Sequence, residues 1–245
     1  MRLSKAWLVA TRDFKVFRHQ KNIWYSIVIF PVIISVLFPV VVEFAGRKSG
    51  GIPAASLPTY LNAFSFFFAI GAAFVPLSVA SYSIVGEKVE KSLEPLLATP
   101  LTDGEILLGK TISALLPTLI ALYAGSVVFM TGMDAVTFHK LGYNYFPNET
   151  IGVLLLVLVP IAVVLSVLFS IIVSSRVNDV RSANSYGILM FFPFLAIYLA
   201  SEIGIISLNV NNLLIISGIL LAIDVALFFV STAAFQREEI LTKWK

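Results

Sequence analysis

The chain has 245 residues, 58% of them hydrophobic and 13% charged, and a formal net charge of +3. Soluble domains carry roughly 25% charged residues, so this composition excludes a soluble globular protein and indicates an integral membrane protein. The sequence contains no cysteine, which excludes disulfide bonds and thiolate metal sites. Its basic residues lie at the edges of apolar runs, so the net positive charge does not indicate a nucleic-acid partner.

Residues 1–22 are predicted to form an amphipathic helix in the membrane interface. Apolar residues recur at helical spacing on one face: Leu3, Trp7, Ala10, Phe14 and Phe17. Basic residues occupy the rest of the helix: Lys5, Arg12, Lys15 and Arg18. Such a helix places its apolar face at the acyl boundary and its cations near the headgroups. The alternative is a basic flank that only orients the first membrane span.

Six apolar runs follow, each near the roughly 20 residues that cross a hydrocarbon layer of about 30 Å. They are predicted at residues 23–42, 60–85, 106–133, 151–175, 182–201 and 213–235. Because the runs are continuous and do not alternate, a β-barrel is excluded. The predicted fold is an all-α integral membrane bundle of six transmembrane helices in residues 23–235, with a tail at 236–245. The whole chain, residues 1–245, is one transmembrane domain.

The basic residues are unevenly distributed between the two sides of this topology. Of the 17 Lys and Arg residues, only Arg47, Lys48 and Lys140 fall on the side opposite the N-terminus. The positive-inside rule therefore predicts that both termini and residues 86–110 are cytoplasmic. The prediction is a multi-pass protein of the plasma membrane.

Residues 86–110 form the long charged segment between the second and third spans. Apolar residues are interspersed with its charges: Leu93, Leu96, Leu97, Ala98 and Leu101. Exposed apolar side chains in such a segment usually mark a partner, so this mixture predicts a docking surface. Ser92 can cap a short helix, which Pro100 ends.

Residues 104–111, GEILLGKT, match the Walker A pattern of phosphate-binding loops. A phosphate-binding loop follows a buried strand of a parallel sheet, whereas this stretch follows a proline turn and leads into a membrane span. Thr102 and Glu105 predict a capping box that begins a helix here. We therefore expect ATP to be bound on another chain.

Residues 87–101, EKVEKSLEPLLATPL, followed by GEILLGK, resemble the cytoplasmic loop of ABC-2 type transporter permeases, the membrane subunits of one class of ABC exporter. The family pattern has mixed charges, a small pair, Leu-Glu, two apolar positions and then Thr-Pro. Lys91 stands where the family commonly has Gly, and Val89 where it commonly has a charge. The spacing of the six spans extends the resemblance over the whole chain.

The resemblance implies the membrane half of an ATP-driven exporter, a homodimer or heterodimer that works with cytoplasmic ABC ATPase subunits. Residues 92–98 would be its coupling helix, and residues 1–22 an elbow helix. The implied ATPase-binding residues are Glu87, Glu90, Leu93, Glu94, Leu96, Leu97 and Pro100. The leucines would fill a groove of the ATPase and the glutamates would pair with its basic rim. ATP and magnesium are expected in that partner, and no cofactor on this chain.

Asp224 is an acid well inside a predicted span, where a charge is costly and should face the bundle interior. It indicates either a polar contact on a substrate or ion path, or a hydrogen bond to a neighbouring helix. Candidate donors for that bond are Tyr123, Ser126, Asn184 and Tyr186. By resemblance the second and fifth spans face the translocation route, so Phe64, Phe68 and Phe191 are further pathway candidates.

Catalytic chemistry has little support in this sequence. His19 and His139 are predicted on opposite sides of the membrane, and no catalytic or metal-binding cluster accompanies them. We therefore expect a transport subunit that is not an enzyme. The alternative function is an ion channel or ion-coupled carrier that uses Asp224 without an ATPase. Prolines within the spans, Pro31 and Pro39 among them, are interpreted as packing or bending sites.

Overall fold

The structure is a computed structural model that describes residues 3–48, 53–86, 101–177 and 179–234. Within those ranges all regular secondary structure is helical. Helix α1, Leu3–Phe17, is joined by a short turn to a second helix, Lys21–Lys48. Within the described residues, six stretches are long and apolar enough to cross a membrane, which confirms the predicted number. We number them spans 1 to 6: Ile23–Ala45, Leu57–Ser81, Asp103–Leu141, Glu149–Arg176, Val180–Glu202 and Val210–Thr232.

Three of these spans are built from several helical segments. Span 2 comprises Leu57–Ser65, Phe67–Phe74 and Pro76–Ser81, and continues into a π-helical turn, Tyr82–Gly86. Span 4 comprises Glu149–Val153, a π-helical segment Leu154–Leu158, and Val159–Arg176. Span 5 comprises Val180–Gly187, a 3₁₀ turn Ile188–Met190, and Phe191–Glu202. Span 6 lies within the helix Val210–Ala234.

Span 3 is longer than its apolar run predicts. Its helix has 39 residues, or about 58 Å at 1.5 Å per residue, nearly twice the hydrocarbon layer. The third apolar run is predicted to end at residue 133, and that bound is wrong, because the helix continues to Leu141. Capping fixes the bounds: Thr102 and Glu105 form the predicted capping box, and Gly142, at φ 76°, ends the helix. We call the end of the bundle near Thr102 the loop end and the opposite end the far end.

Spans 2 and 4 form the centre of the bundle. Span 4 packs against spans 2, 3, 5 and 6, and span 2 is the most buried of the six. Spans 5 and 6 are the least buried, and their exposed side chains are largely apolar. A surface of this kind suits contact with lipid or with another membrane subunit.

Spans 1 and 3 pack through proline and glycine. A Cβ atom on Gly125 would lie 2.7 Å from the Pro31 Cβ, and one on Gly132 would lie 3.1 Å from the Pro39 Cγ. The Ser35 hydroxyl donates to the Gly125 carbonyl oxygen at 2.6 Å. These two prolines therefore serve close packing, one of the two roles considered for them.

Candidate functional site

Helix α1 lies against the loop end of span 3. Lys5 Nζ is 4.0 Å from Glu105 Oε2, Val9 packs on Gly109, and Asp13 accepts a hydrogen bond from Ser113. These contacts advance by four residues on both helices, so α1 runs beside span 3 in the same direction. A Cβ atom on Gly109 would lie 2.6 Å from the Val9 Cβ, so this close approach requires glycine.

The face of α1 that packs differs from the predicted apolar face. Its buried residues are Ala6, Val9, Ala10, Asp13 and Phe17. Ala10 and Phe17 were expected at lipid but lie in this protein contact, whereas Trp7 is 50% exposed and meets Phe14 edge to face. The reason is that α1 packs on span 3 along a stripe of small residues, which a count of large apolar residues does not reveal. The interfacial location of α1 stays a prediction.

Asp13 and Lys110 meet where α1, span 3 and the π-helical turn converge. Each side chain is 1% exposed, and Lys110 Nζ lies 3.8 Å from Asp13 Oδ2. Lys110 donates to the Ser83 carbonyl oxygen and, at 3.1 Å, to the Ser83 hydroxyl. Asp13 Oδ2 accepts from the hydroxyls of Ser83 at 3.0 Å and Ser113 at 3.1 Å. We call Asp13, Ser83, Lys110 and Ser113 the loop-end cluster.

The loop-end cluster holds two opposite charges away from water. The desolvation of such a pair is offset only where hydrogen bonds and geometry are favourable. Here Ser83 and Ser113 satisfy one carboxylate oxygen, while the other, Asp13 Oδ1, is buried and has no hydrogen-bond partner among the described residues. Breaking such a buried pair by removal of one member typically costs about 3–5 kcal/mol.

Asp224 is 5% exposed, and it lies on span 6, which packs against span 4. On the same face, the Ser231 hydroxyl lies 3.5 Å from the Leu168 carbonyl oxygen. Two of the predicted donors to Asp224 bond elsewhere, since Tyr123 donates to the Leu155 carbonyl and Ser126 to the Tyr123 carbonyl. Asp224 Oδ1 has no hydrogen-bond partner within the described part of the chain.

The aromatic pathway candidates occupy separate places in the bundle. Phe64 stacks on Phe38 with ring centroids 4.7 Å apart, and Phe191 is in contact with its neighbour Phe192. Phe68 is 1% exposed and packs edge to face on Phe129 in span 3. Their role in a pathway, like that of Asp224, stays a prediction.

A sequence model of one protein family, described as ABC-2 family transporter protein, matches residues 7–236. The match includes most of α1, all six spans and the segment between spans 2 and 3. The chain belongs to the ABC-2 transporter family. It is thus the membrane permease of an ABC transporter, a multi-pass membrane protein and a transport component, and the family resemblance of its sequence is confirmed. Membership implies association with an ABC ATPase. Among curated proteins, no sequence matches the chain.

The permease's predicted ATPase-binding residues lie outside the described residues: Glu87, Glu90, Leu93, Glu94, Leu96, Leu97 and Pro100. Both attachment points of that segment are described, since the π-helical turn ends at Gly86 and span 3 begins at Asp103. Ser83 lies in that turn and Lys110 lies two turns into span 3. The loop-end cluster therefore connects the π-helical turn after span 2 with span 3, the two elements that flank the predicted coupling segment.

The stretch that matches Walker A does not form a phosphate-binding loop. Residues 104–111 belong to the uninterrupted helix of span 3. The lysine of the pattern, Lys110, is buried on Ser83 and Asp13, and Gly109 is covered by α1. Lys110 is the last residue of the charged segment at 86–110, and its side chain is buried.

Sequence reasoning identified Asp224 as a buried acid but missed the buried pair of Asp13 and Lys110. The available signal was the position of Asp13 on one helical stripe with Ala6, Val9 and Ala10. A charged residue on a stripe of small apolar residues indicates a partner on the facing element.

Asp179 caps the first helix of span 5. Its carboxylate accepts from the Ser182 backbone N–H at 2.7 Å and from the Ser182 hydroxyl at 2.6 Å. These hydrogen bonds lower the pKa of Asp179. The short segment that contains it is thus built as a helix start. Among the described residues, no three His, Asp or Glu side chains converge as a metal site.

Proposed function

We propose that the permease is the membrane half of an ATP-driven exporter, moved through residues 86–110 by a separate cytoplasmic ATPase. The observation that carries the proposal is the convergence of both ends of this segment on the loop-end cluster. Ser83 precedes the segment, Lys110 follows its predicted helix, and both bind Asp13. A displacement of the segment would therefore reach spans 2 and 3 together.

In this mechanism the ATPase binds the coupling helix at residues 92–98. Leu93, Leu96 and Leu97 enter an apolar groove, and the nearby glutamates pair with the basic rim of that groove. ATP and magnesium are bound and used on the ATPase. Closure of the ATPase subunits shifts spans 2 and 3 and switches the permease between inward-facing and outward-facing arrangements.

The working unit in this proposal is a dimer of permeases, identical or different, with two ATPase subunits in the plasma membrane. Support comes from the apolar outer surfaces of spans 1, 5 and 6, which suit a second membrane subunit as well as lipid. The excess of basic residues at the loop end supports a cytoplasmic position for both termini.

The first test is purification of the tagged permease from its own cells in mild detergent, followed by mass spectrometry of the proteins that accompany it. We expect a near-stoichiometric soluble ATPase with its own Walker A sequence. A permease that is recovered alone, or only with further copies of itself, would contradict the exporter proposal.

The second test locates the contact on the coupling segment. Glu94→Arg and the pair Leu96→Asp/Leu97→Asp are expected to release the ATPase, because they reverse a charge and place carboxylates in an apolar groove. Glu202→Arg, an exposed acid at the far end, is the control and should retain it. Circular dichroism would verify that all variants keep the six-helix fold. ATPase retention by the folded loop variants would contradict the assignment of this segment.

A second candidate function is an ion channel or ion-coupled carrier centred on Asp224. It is favoured by one observation, the buried carboxylate oxygen without a hydrogen-bond partner. Transport in liposomes that contain the permease alone, driven by an ion gradient and abolished by Asp224→Asn, would support this function over the exporter.

A further inference from the structure

One carboxylate oxygen joins three elements at the loop end. Asp13 Oδ2, on α1, accepts from Ser83 in the π-helical turn and from Ser113 in span 3. The same oxygen lies 3.8 Å from the ammonium group of Lys110. Helix α1 is therefore tied directly to both helices that flank residues 87–100.

A second contact connects the α1 region to the π-helical turn independently of Asp13. Gln20, just after α1, donates to the Tyr82 hydroxyl at 2.7 Å, and the Phe17 ring meets the Tyr82 ring edge to face. The π-helical turn is thus held at two successive residues, Tyr82 and Ser83. Single π-helical turns within α-helices occur frequently at functional sites.

Packing alone does not account for the buried charges. Helix α1 already contacts span 3 closely through Ala6 and Val9 on Gly109. Replacement of a buried ion pair by apolar residues is often neutral or stabilising, and Asp13 Oδ1 remains without a hydrogen-bond partner among the described residues. Helix α1 is thus already packed, and the Asp13 contact is directional and only partly satisfied. Such a contact indicates that the position of α1 relative to spans 2 and 3 must be fixed.

We propose that Asp13 is a positioning residue of the transport cycle. Through Lys110, Ser83 and Ser113 it fastens α1 to spans 2 and 3, so that these elements move as one unit when the coupling segment is displaced. The inference rests on the proposed function, because the ATPase supplies that displacement. Without this fastening, the ATPase binds but its hydrolysis is not transmitted through the permease.

The first arm of the test uses the purified permease alone. The native chain has no cysteine, so Val9→Cys introduces a single thiol. Val9 is 3% exposed and lies on the buried face of α1. The cysteine side chain is smaller than that of valine. We expect slow maleimide labelling of this thiol, and labelling on the order of tenfold faster when Asp13→Asn is added, since the broken pair opens the contact. Asp179→Asn, the same change at an exposed helix cap, should leave the labelling rate unaltered.

The second arm measures ATP hydrolysis by the co-purified complex. Asp13→Asn is expected to retain the ATPase but to change its stimulation by the permease roughly 2- to 30-fold, the range seen for residues in coupling networks. The double variant Asp13→Asn/Lys110→Met removes both members of the buried pair, and it is the second variant for the case that the single variant folds poorly. It should nevertheless label fast and remain uncoupled.

The outcomes separate the two proposals. Unaltered labelling in folded Asp13→Asn and in the double variant would overturn the fastening role. Faster labelling with native hydrolysis would make the cluster purely structural and would overturn the positioning role. If no ATPase accompanies the native permease, the exporter proposal fails and takes the positioning role with it, while the labelling arm still decides whether Asp13 fastens α1.

Discussion

Two buried acids in the permease have different surroundings. Asp13 has Lys110 within 3.8 Å and two serine donors on one oxygen. Asp224, within span 6, has no recorded ion pair, and its Oδ1 atom has no hydrogen-bond partner in the described ranges. The first acid belongs to a network whose members depend on one another, whereas the second is an isolated polar group within an apolar helix. The same substitution should therefore affect stability in opposite directions at the two positions.

Asp224→Leu is expected to stabilise the permease. An acid near the centre of a membrane helix is unfavourable by about 2.5–3.5 kcal/mol on insertion scales, and leucine removes that cost. Asp13→Leu should destabilise it by about 3–5 kcal/mol, because it breaks the buried ion pair with Lys110 and removes the acceptor of the Ser83 and Ser113 hydroxyls. Thermal unfolding of the purified variants in one detergent provides the comparison. A lower melting temperature for Asp224→Leu would indicate that the carboxyl group has a partner in the assembled transporter.

Glycine positions determine how closely the helices of the bundle approach. Gly109 accepts α1, while Gly125 and Gly132 accept the prolines of span 1. All three lie on span 3, which makes this helix the common support for α1 and span 1. Gly152, in span 4, has no neighbouring atom within 4 Å of the position that a Cβ would occupy. The two kinds of glycine predict opposite responses to alanine.

Gly109→Ala is expected to destabilise the permease by about 1–3 kcal/mol, the usual cost of overpacking. The added Cβ would lie 2.7 Å from the Ala6 carbonyl oxygen, a backbone atom that cannot rotate away. Gly152→Ala is the matched control and should be neutral or stabilising by up to about 1 kcal/mol, because alanine favours a helix. Both are measured by thermal unfolding. Equal melting temperatures for the two variants would contradict the close packing of α1 on span 3.

Local signals in the sequence predicted the spans, but the sequence did not reveal the contacts between distant residues. An apolar run or the Thr102 and Glu105 capping box depends only on nearby residues, so each can be identified without the fold. The meeting of Asp13 with Lys110 depends on α1 docking beside span 3, which no local pattern encodes. Hydropathy also predicted too early an end for span 3. The hydropathy of the sequence decreases where the helix leaves the apolar layer, but the backbone continues as a helix to Leu141.

Spans 2 and 3 are fastened to each other at both ends of the molecule. At the loop end the connection is Lys110 on Ser83. At the far end, Asp134 accepts from the Tyr145 backbone N–H at 3.0 Å, and the Tyr145 hydroxyl donates to the Pro58 carbonyl at 3.2 Å. A displacement applied at the loop end is therefore suited to reach the far end as a shift of the joined pair, as an exporter that is driven from one side requires.

The orientation of the whole molecule can be tested with its two histidines. His19 follows α1 at the loop end, His139 lies in the last turn of span 3 at the far end, and both are exposed. We expect His139→Cys to react with a membrane-impermeant maleimide on intact cells, since the positive-inside rule predicts that the far end is outside. His19→Cys should react only after the cells are permeabilised.

The histidine pair is informative because both positions are exposed and they lie at opposite ends of the bundle. The native chain, which lacks cysteine, provides the background for both and should remain unlabelled. Neither substitution replaces a Lys or Arg, so the distribution of basic residues that sets the orientation is unchanged. Labelling of His19→Cys on intact cells would indicate the opposite orientation, with residues 86–110 outside the cell. No cytoplasmic ATPase would then reach the coupling segment, so this one result would contradict the exporter mechanism as well as the orientation.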